Sequence, residues 1–184
     1  MKPDRNTQQP APSSGIAAPC IEIDALTVLR GQRLVIDQLT HRQNHGELCL
    51  LTGANGAGKS TLLRSIAGRL PAEYGDIKCH LPTVYVGHAD GLAGAISGRK
   101  NLRSWAAVND ITVTGDDIEQ ALAGFNAAAF ADMPVQLLSR GQRRRLALTR
   151  LLLTPTPNLW LLDEPSTGLD RDGQTRLETA IAAH

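Results

Sequence analysis

The sequence predicts an α/β fold, and three observations lead to that prediction. A glycine-rich loop at residues 53–61 follows the apolar run 48–51, which is typical of a buried strand, and opens into the helical pattern 62–67. Residues from about 97 to 140 carry apolar side chains at helical intervals and predict a small helical subdomain. Short apolar and β-branched runs bounded by turn residues predict further strands at residues 75–77, 83–87 and 159–163.

The remaining elements flank this unit on both sides. Alternating side chains at residues 21–28, a turn at 30–33 and a second run at 34–36 predict a β-hairpin before the glycine-rich loop. Two later helices are predicted at residues 142–153 and 172–183. We find no internal repeat.

A chain of 184 residues is long enough for one domain with a proper core. We predict that this domain spans residues 20–184, with the helical subdomain at about 97–140 inserted into it. Residues 1–19 are rich in Pro, Ser and Gln, and no apolar run follows Lys2 and Arg5. This segment is therefore predicted to be a disordered tail and not a signal peptide.

Composition and charge argue against several functional classes. A charged fraction of 20% and a hydrophobic fraction of 42% are ordinary for a soluble globular protein. The net charge of +1 gives no electrostatic reason to expect nucleic acid as the main partner. No window reaches the roughly 18 consecutive apolar residues that a membrane-spanning helix needs. Cys20, Cys49 and Cys79 lack C-x-x-C spacing and are predicted to be small core residues in a reducing compartment.

The glycine-rich loop has the spacing G-x-x-x-x-G-K-S of a phosphate-binding P-loop. Backbone N–H groups at a helix N-terminus form a nest for phosphate oxygens, and glycines let the backbone come close. Lys59 would reach the β- and γ-phosphates, and the Ser60 hydroxyl would coordinate Mg²⁺. We therefore predict that the chain binds a nucleoside triphosphate. The residues expected to line the phosphate site are Gly53, Asn55, Gly56, Gly58, Lys59, Ser60 and Thr61.

Two acidic residues end the predicted strand at residues 159–163. Asp163 closes an apolar run, so it would reach the phosphate pocket and hold Mg²⁺ through water. Glu164, one residue further on, is placed to act as the general base on the attacking water. An Asp-Glu pair at a strand end can also be merely structural. After a P-loop, the pair favours nucleotide hydrolysis.

A third motif, Leu-Ser-Arg-Gly-Gln at residues 138–142, precedes the Asp-Glu strand. Alone it predicts only a helix N-cap. In the order P-loop, 138–142 motif, Asp-Glu, the sequence closely resembles the ATP-binding cassette (ABC) family, whose signature is Leu-Ser-Gly-Gly-Gln. Arg140 departs from it at a position where the family varies. Residues 166–170 also resemble the D-loop of this family.

The resemblance implies an ABC-type nucleotide-binding domain of the P-loop NTPase class, with an antiparallel β edge, a small helical subdomain, and ATP and Mg²⁺ as cofactors. In the family, two such domains face each other head to tail. Ser139 and Gly141 would then contact the γ-phosphate held by the P-loop of a second copy, so hydrolysis would need a homodimer closed by ATP. Gln142 and Asp170 would complete the nucleotide-binding set.

Residues 87–92 and 101–102, with 132–135 before the signature, resemble the ATP-binding subunits of the cytochrome c maturation system. The resemblance places His88 where most cassettes carry a glutamine that touches Mg²⁺ and senses a membrane partner. It implies a peripheral subunit on the cytoplasmic face of a bacterial inner membrane, bound to an integral membrane protein in a complex that handles or exports haem. His88 is otherwise a surface imidazole in a divergent loop.

Two alternative functions stay open at this stage. The chain could serve a different ABC transporter, or it could be a soluble ABC ATPase that acts on nucleic acid or ribosomes. Soluble members usually carry two cassettes or long insertions, and this sequence has neither. The arginines at residues 143–145, with Arg150, spread over more than one helix face, so snorkelling or pairing with carboxylates is favoured over nucleic-acid binding.

Two further features depart from the family pattern. Arg30 stands where cassettes usually place an aromatic that stacks on adenine; its guanidinium could stack instead, or it could simply belong to the hairpin turn. The family also carries a switch histidine after a further strand, but His184 follows the Asp-Glu pair too closely and lies on a predicted helix. We therefore expect that the C-terminal strand and switch region are missing, through truncation or through degeneration of the cassette.

Overall fold

The structure, a computed structural model, describes residues 19–184. The predicted tail thus lies outside the described residues except for Pro19, which belongs to the first strand. The strands are β1 (Pro19–Arg30), β2 (Arg33–Asn44), β3 (Tyr74–Cys79), β4 (Thr83–Val86) and β5 (Leu159–Leu162). The α-helices are α1 (Lys59–Ile66), α2 (Gly98–Val108), α3 (Gly115–Gly124), α4 (Arg140–Leu148) and α5 (Arg171–Ala183). Short 3₁₀ helices lie at Ala128–Phe130, Val135–Leu137 and Thr149–Leu153.

An antiparallel sheet of order β2-β1-β3 forms one edge of the molecule, and the predicted hairpin is confirmed as its first two strands. The hairpin is longer than predicted, because β2 continues through the polar residues 40–44. An antiparallel sheet tolerates such residues on a face turned to water. Its other face buries Ile21, Ile23 and Leu26 against Leu62 and Ile66, which belong to α1.

A second sheet consists of β4 and β5, which pair in parallel with Val86 opposite Leu162. Both strands were predicted, although β5 ends at Leu162 and not at Asp163. Phe125, Leu148 of α4 and Leu177 of α5 pack with Val84 and Val86 of this pair in one apolar cluster. The two strands end at the same edge of the sheet. The His88 loop follows one strand, and the Asp-Glu pair follows the other.

The predicted strand at residues 48–51 is wrong. These residues have no regular secondary structure, and Leu48 and Leu50 are 83% and 81% exposed. A strand exists only through hydrogen bonds to a neighbour, and neither sheet within residues 19–184 pairs with this segment. Cys49 is consequently exposed and not a core residue, whereas Cys20 is buried and Cys79 is half-buried.

The predicted helical region contains α2, α3 and two 3₁₀ helices, and it has a core of its own. Leu102, Ile118 and Leu122 are each at most 1% exposed and pack with Leu146 of α4. The helix predicted at residues 142–153 begins earlier, at Arg140, and becomes a 3₁₀ helix at Thr149. The Thr149 hydroxyl donates to the Arg145 carbonyl at 3.1 Å, a back-bond that disturbs helical geometry.

Gly75 is the position where the antiparallel sheet depends most on the absence of a side chain. Its φ is +82°, and a Cβ there would lie 2.4 Å from the carbonyl oxygens of Asp24 and Ala25. Gly75→Ala should therefore lower the free energy of unfolding by about 2 kcal/mol or more in urea titrations. Gly115→Ala is the matched control, because a Cβ at Gly115 meets nothing within 4 Å. Equal unfolding midpoints for the two variants would contradict this account.

Candidate nucleotide site

The P-loop joins the hairpin to α1 through backbone conformations that favour glycine. Gly56 and Gly58 have φ values of +81° and +104°, and Gly58 is the N-cap of α1. A Cβ on Gly58 would lie 3.0 Å from Cγ1 of Val35, so β2 packs directly against the loop. The Lys59 ammonium donates to the carbonyl oxygens of Gly53 and Ala54 at 2.7 and 3.0 Å. The Lys59 ammonium therefore lies against the backbone of the loop that carries it.

Ser60 and Asp163, the two predicted Mg²⁺ ligands, lie together although 103 residues separate them. The Ser60 hydroxyl donates to Oδ1 of Asp163 at 2.9 Å, and Asp163 is only 4% exposed. Hydroxyl and carboxylate oxygens are ligands that Mg²⁺ prefers, so this pair fits the metal that the motif implies. Thr61, the next residue on α1, is buried.

Tyr85 completes the surroundings of Asp163, and sequence reasoning missed it. Its hydroxyl donates to Oδ2 of Asp163 at 3.4 Å and accepts from Nε of Arg64 at the same distance. The guanidinium of Arg69 lies 4.7 Å from the centre of the Tyr85 ring. The available signal was a tyrosine within the apolar strand that precedes the His88 loop.

Glu164 and His88, which were predicted to be catalytic together with Lys59, lie next to each other. Nδ1 of His88 lies 3.7 Å from Oε2 of Glu164, and both side chains are more than half exposed. Glu164 has a φ of +50°, a left-handed conformation that strains a non-glycine residue. Its carbonyl accepts from the N–H of Thr167 at 3.2 Å, which holds the strained turn. The geometry places a carboxylate and an imidazole side by side at the solvent-exposed end of the parallel strand pair.

The signature residues form a helix start, as their sequence predicted. The Ser139 hydroxyl accepts from the Gln142 N–H at 3.2 Å, and the Gln142 side chain accepts from the Ser139 N–H at 2.8 Å. This capping box opens α4. Gly141 lies against the D-loop, because its Cβ would meet the Gly168 carbonyl at 3.1 Å. The variant residue Arg140 packs along Gly168 as well.

Asp170 has a structural role in addition to the nucleotide contact predicted for it. It is the N-cap of α5, where its carboxylate accepts from the Gly173 N–H at 3.0 Å. It also forms an ion pair with Arg145. The Gly173 N–H and the Arg145 guanidinium lower the pKa of the Asp170 carboxyl. Asp172 contacts Arg145 and Arg176, which lower its pKa to about 2.

Arg30 lies at the tip of the hairpin, and His184 lies near the start of β5. Arg30 is the exposed last residue of β1, opposite Arg33 at the tip of the hairpin. His184 stacks on Trp160, with ring centroids 3.9 Å apart, and contacts the Asn158 carbonyl. These partners mark the start of β5, whereas the Asp-Glu pair follows its end.

Most of the arginine cluster of α4 and the following 3₁₀ helix points inward. Arg144, Arg145 and Arg150 are each at most 8% exposed. Arg150 donates to the carbonyl oxygens of Asp90 and Gly91 at 3.0 and 2.7 Å, and burial lowers its pKa to about 10. These side chains bind other parts of the fold, and Arg144 and Arg145 form ion pairs with carboxylates, as the sequence favoured. Between residues 19 and 184 no helix is both long and apolar enough to span a bilayer.

The comparison with known families defines the class. Residues 36–167 match the ABC transporter family, and this range contains the P-loop, the signature and the Asp-Glu pair. The chain therefore belongs to the ABC transporter family, and it is an ABC-type ATPase with the α/β fold of that class. The predicted antiparallel β edge and helical region are both present in it.

Within this family, the chain is similar to proteins named for cytochrome c biogenesis. The chain is 38% identical to the cytochrome c biogenesis ATP-binding export protein CcmA of Vibrio cholerae serotype O1, and the match covers 89% of this chain and 84% of the relative. It is 41% identical to CcmA of Hyphomonas neptunium, over 91% of this chain and 84% of the relative. The identity to CcmA of Cereibacter sphaeroides is 42%, over 89% and 76% of the two chains.

Solved structures give the same fold. A Pyrococcus furiosus protein described as an ABC transporter ATP-binding protein matches with a TM-score of 0.76 at 24% identity, over 89% of this chain and 84% of that one. An ATP-binding subunit of an ABC transporter matches with a TM-score of 0.75 at 22% identity, over 89% and 75%. At these identities the likeness concerns the fold alone.

Lys59→Ala tests the phosphate site directly. The variant loses the cation that would neutralise the β- and γ-phosphates, so ATP affinity should fall by about 10- to 100-fold. Equilibrium titration with a fluorescent ATP analogue measures this. Lys100→Ala, which removes an exposed lysine of α2, should bind like wild type. Unchanged affinity in the Lys59 variant would refute the P-loop assignment.

Proposed function

We propose that the chain is the energy-coupling ATPase subunit of an ABC membrane complex for c-type cytochrome biogenesis, in which ATP hydrolysis serves the handling or export of haem. The catalytic part rests on two neighbouring contacts where β4 and β5 end: Ser60 meets Asp163 at 2.9 Å, and Glu164 meets His88 at 3.7 Å. The CcmA relatives support the biological part, because their names give cytochrome c biogenesis and export.

The proposal treats residues 20–184 as one ABC ATPase domain with an inserted helical subdomain at about 97–140. Leu102, Ile118 and Leu122 belong to a cluster distinct from those that contain the strands, which supports this division, and Leu146 of α4 joins that cluster to the rest of the domain. The main part of the domain binds the nucleotide at the P-loop. The subdomain leads directly into the signature helix α4. In a dimer, the P-loop and the signature helix of one copy would therefore contact different nucleotides.

In the proposed mechanism the P-loop backbone, from Gly53 to Thr61, binds the phosphates of ATP. Lys59 exchanges its contacts with Gly53 and Ala54 for contacts with the β- and γ-phosphate oxygens. The exposed Glu164 carboxylate accepts a proton from the attacking water. His88, beside it, orients that carboxylate and the γ-phosphate.

Mg²⁺ would be held by the Ser60 hydroxyl and, through water, by Asp163, and when bound it would neutralise charge on the phosphates. Tyr85 restrains Asp163 from the other side, through its 3.4 Å hydrogen bond to Oδ2. Two restraints on one buried carboxylate favour a fixed direction toward the metal. A fixed direction avoids reorganisation cost when the nucleotide binds.

The second half of the site is proposed to come from another copy of the chain. Ser139, Gly141 and Gln142 lie at the N-terminus of α4, where backbone N–H groups favour an anion. Their described hydrogen bonds stay within the turn that starts the helix and do not reach the P-loop. In a head-to-tail homodimer they would contact the γ-phosphate bound by the other copy, and Asp170 would lie at the same junction.

Membrane attachment is proposed to be peripheral, on the cytoplasmic face of a bacterial inner membrane, through an integral subunit. His88 is 62% exposed and next to Glu164, so a partner that contacts this loop can influence hydrolysis directly.

The exposed Arg30 at the hairpin tip would contact the adenine ring by stacking. Substrate contacts would belong to the integral subunit.

Glu164→Gln separates binding from hydrolysis. The amide keeps the shape of the side chain but cannot accept the proton, so hydrolysis should fall about 100-fold or more while ATP binding persists. Gel filtration with ATP and Mg²⁺ should show a dimer that is stable only in this variant. Glu178→Gln, on the exposed face of α5, is the control. A variant that stays monomeric and hydrolyses ATP at the wild-type rate would refute both assigned roles.

His88→Ala tests the coupling role. The membrane partner is first identified by co-purification of the chain from detergent-solubilised membranes. Partner-stimulated hydrolysis should then fall several-fold in the variant, while ATP affinity changes little, since His88 would report partner contact and not bind the nucleotide tightly. His41→Ala, an exposed histidine of β2, should respond to the partner like wild type. Full stimulation of the His88 variant would remove His88 from the mechanism.

A further inference from the structure

Arg144 is a buried arginine of α4 for which the mechanism above has no role. It is 3% exposed, and all five N–H groups of its guanidinium have an acceptor. Four of these acceptors are backbone carbonyl oxygens, and the fifth is a carboxylate. The acceptors are the carbonyl oxygens of Gly87 (2.7 Å), Glu164 (2.8 Å), Pro165 (3.1 Å) and Asp163 (3.2 Å), and Oδ1 of Asp90 (3.4 Å).

Three of these carbonyl groups are consecutive and belong to the turn that presents the catalytic acids. Glu164 adopts the strained φ of +50° within this turn. Such a conformation persists only where its surroundings fix it. Arg144 binds the carbonyl groups on both sides of Glu164 and the one belonging to Glu164 itself, which restricts rotation of these peptides.

The other two acceptors belong to the loop that carries His88. Gly87 immediately precedes His88, and its carbonyl makes the shortest of the five hydrogen bonds. A single planar group therefore joins the His88 loop to the Glu164 turn, whose side chains are 3.7 Å apart. Only a guanidinium has five donors in a fixed plane; a lysine has three donors on one atom and cannot satisfy all five acceptors.

A buried cation is costly, and Asp90 is the only carboxylate among these five acceptors. Apolar packing would attach α4 to the sheet without that cost. Unlike apolar packing, the guanidinium also fixes the orientation of four carbonyl groups, because each accepts a hydrogen bond from it. We propose that Arg144 is a positioning residue for ATP hydrolysis, which fixes the Glu164 turn and the His88 loop relative to each other. This inference rests on the proposed ATPase function.

The test compares Arg144→Lys and Arg144→Ala with the same changes at Arg99. Arg99 is a partly buried arginine that forms ion pairs with Glu119 and Asp132 in the helical subdomain. Single-turnover hydrolysis of ATP with the protein in excess gives the chemical rate, and equilibrium titration gives ATP affinity. In Arg144→Lys the rate should fall about 10- to 100-fold, because small misplacements of catalytic groups are that costly. ATP affinity should stay within a few-fold of wild type.

Guanidinium ion at millimolar, non-denaturing concentration supplies the second readout. It should restore part of the hydrolysis rate of Arg144→Ala by occupying the vacated site, and it should have no such effect on Arg99→Ala. Far-UV circular dichroism and thermal melting check that each variant is folded.

Three results would overturn the inference: a wild-type rate in Arg144→Lys, a parallel loss of affinity and rate, or a slow Arg144→Ala variant that guanidinium does not rescue. Unfolding of both Arg144 variants would also overturn it, since it would assign the residue to folding. If the wild-type chain itself shows no hydrolysis in the single-turnover assay, the proposed function fails first, and that result is distinguishable from all the others.

Discussion

The parallel pairing of β4 with β5 is the constraint on which the rest of the site depends. Val86 pairs with Leu162 at the ends of the two strands, so the chain leaves both strands at one edge. The next residues are Gly87 and His88 on one side and Asp163 and Glu164 on the other. Because the backbone fixes this register, two loops that are far apart in sequence present their polar side chains to the same volume.

The antiparallel sheet holds the P-loop and α1 next to this edge. The buried face of β1 and β2 holds α1, and Val35 packs against Gly58 at the start of that helix. Ser60, the second residue of α1, is therefore placed to contact Asp163. The site is a junction of two sheets that share no strand. Its geometry consequently depends on packing between layers and not on one continuous set of backbone hydrogen bonds.

Motif spacing predicted most of the site residues, but not their supports. The P-loop and the Asp-Glu pair could be located because phosphate and metal chemistry restricts the residue types at fixed intervals. Tyr85, Arg144 and Arg150 carry no such signal, since their partners are backbone carbonyl groups or residues distant in sequence. Local patterns likewise predicted the hairpin and helices. The strand at residues 48–51 failed because its formation depends on a neighbour that no local pattern reveals.

The exposed leucines at positions 48 and 50 have a practical consequence for the protein in solution. An apolar segment outside both sheets, next to the phosphate loop, is a surface on which chains can adhere to one another without any nucleotide. Such adhesion would grow with protein concentration and with salts that strengthen apolar burial. An ATP-closed dimer would instead appear at fixed concentration when nucleotide is added. The segment that leads into the phosphate loop is thus also a place where the chain exposes large apolar side chains to solvent.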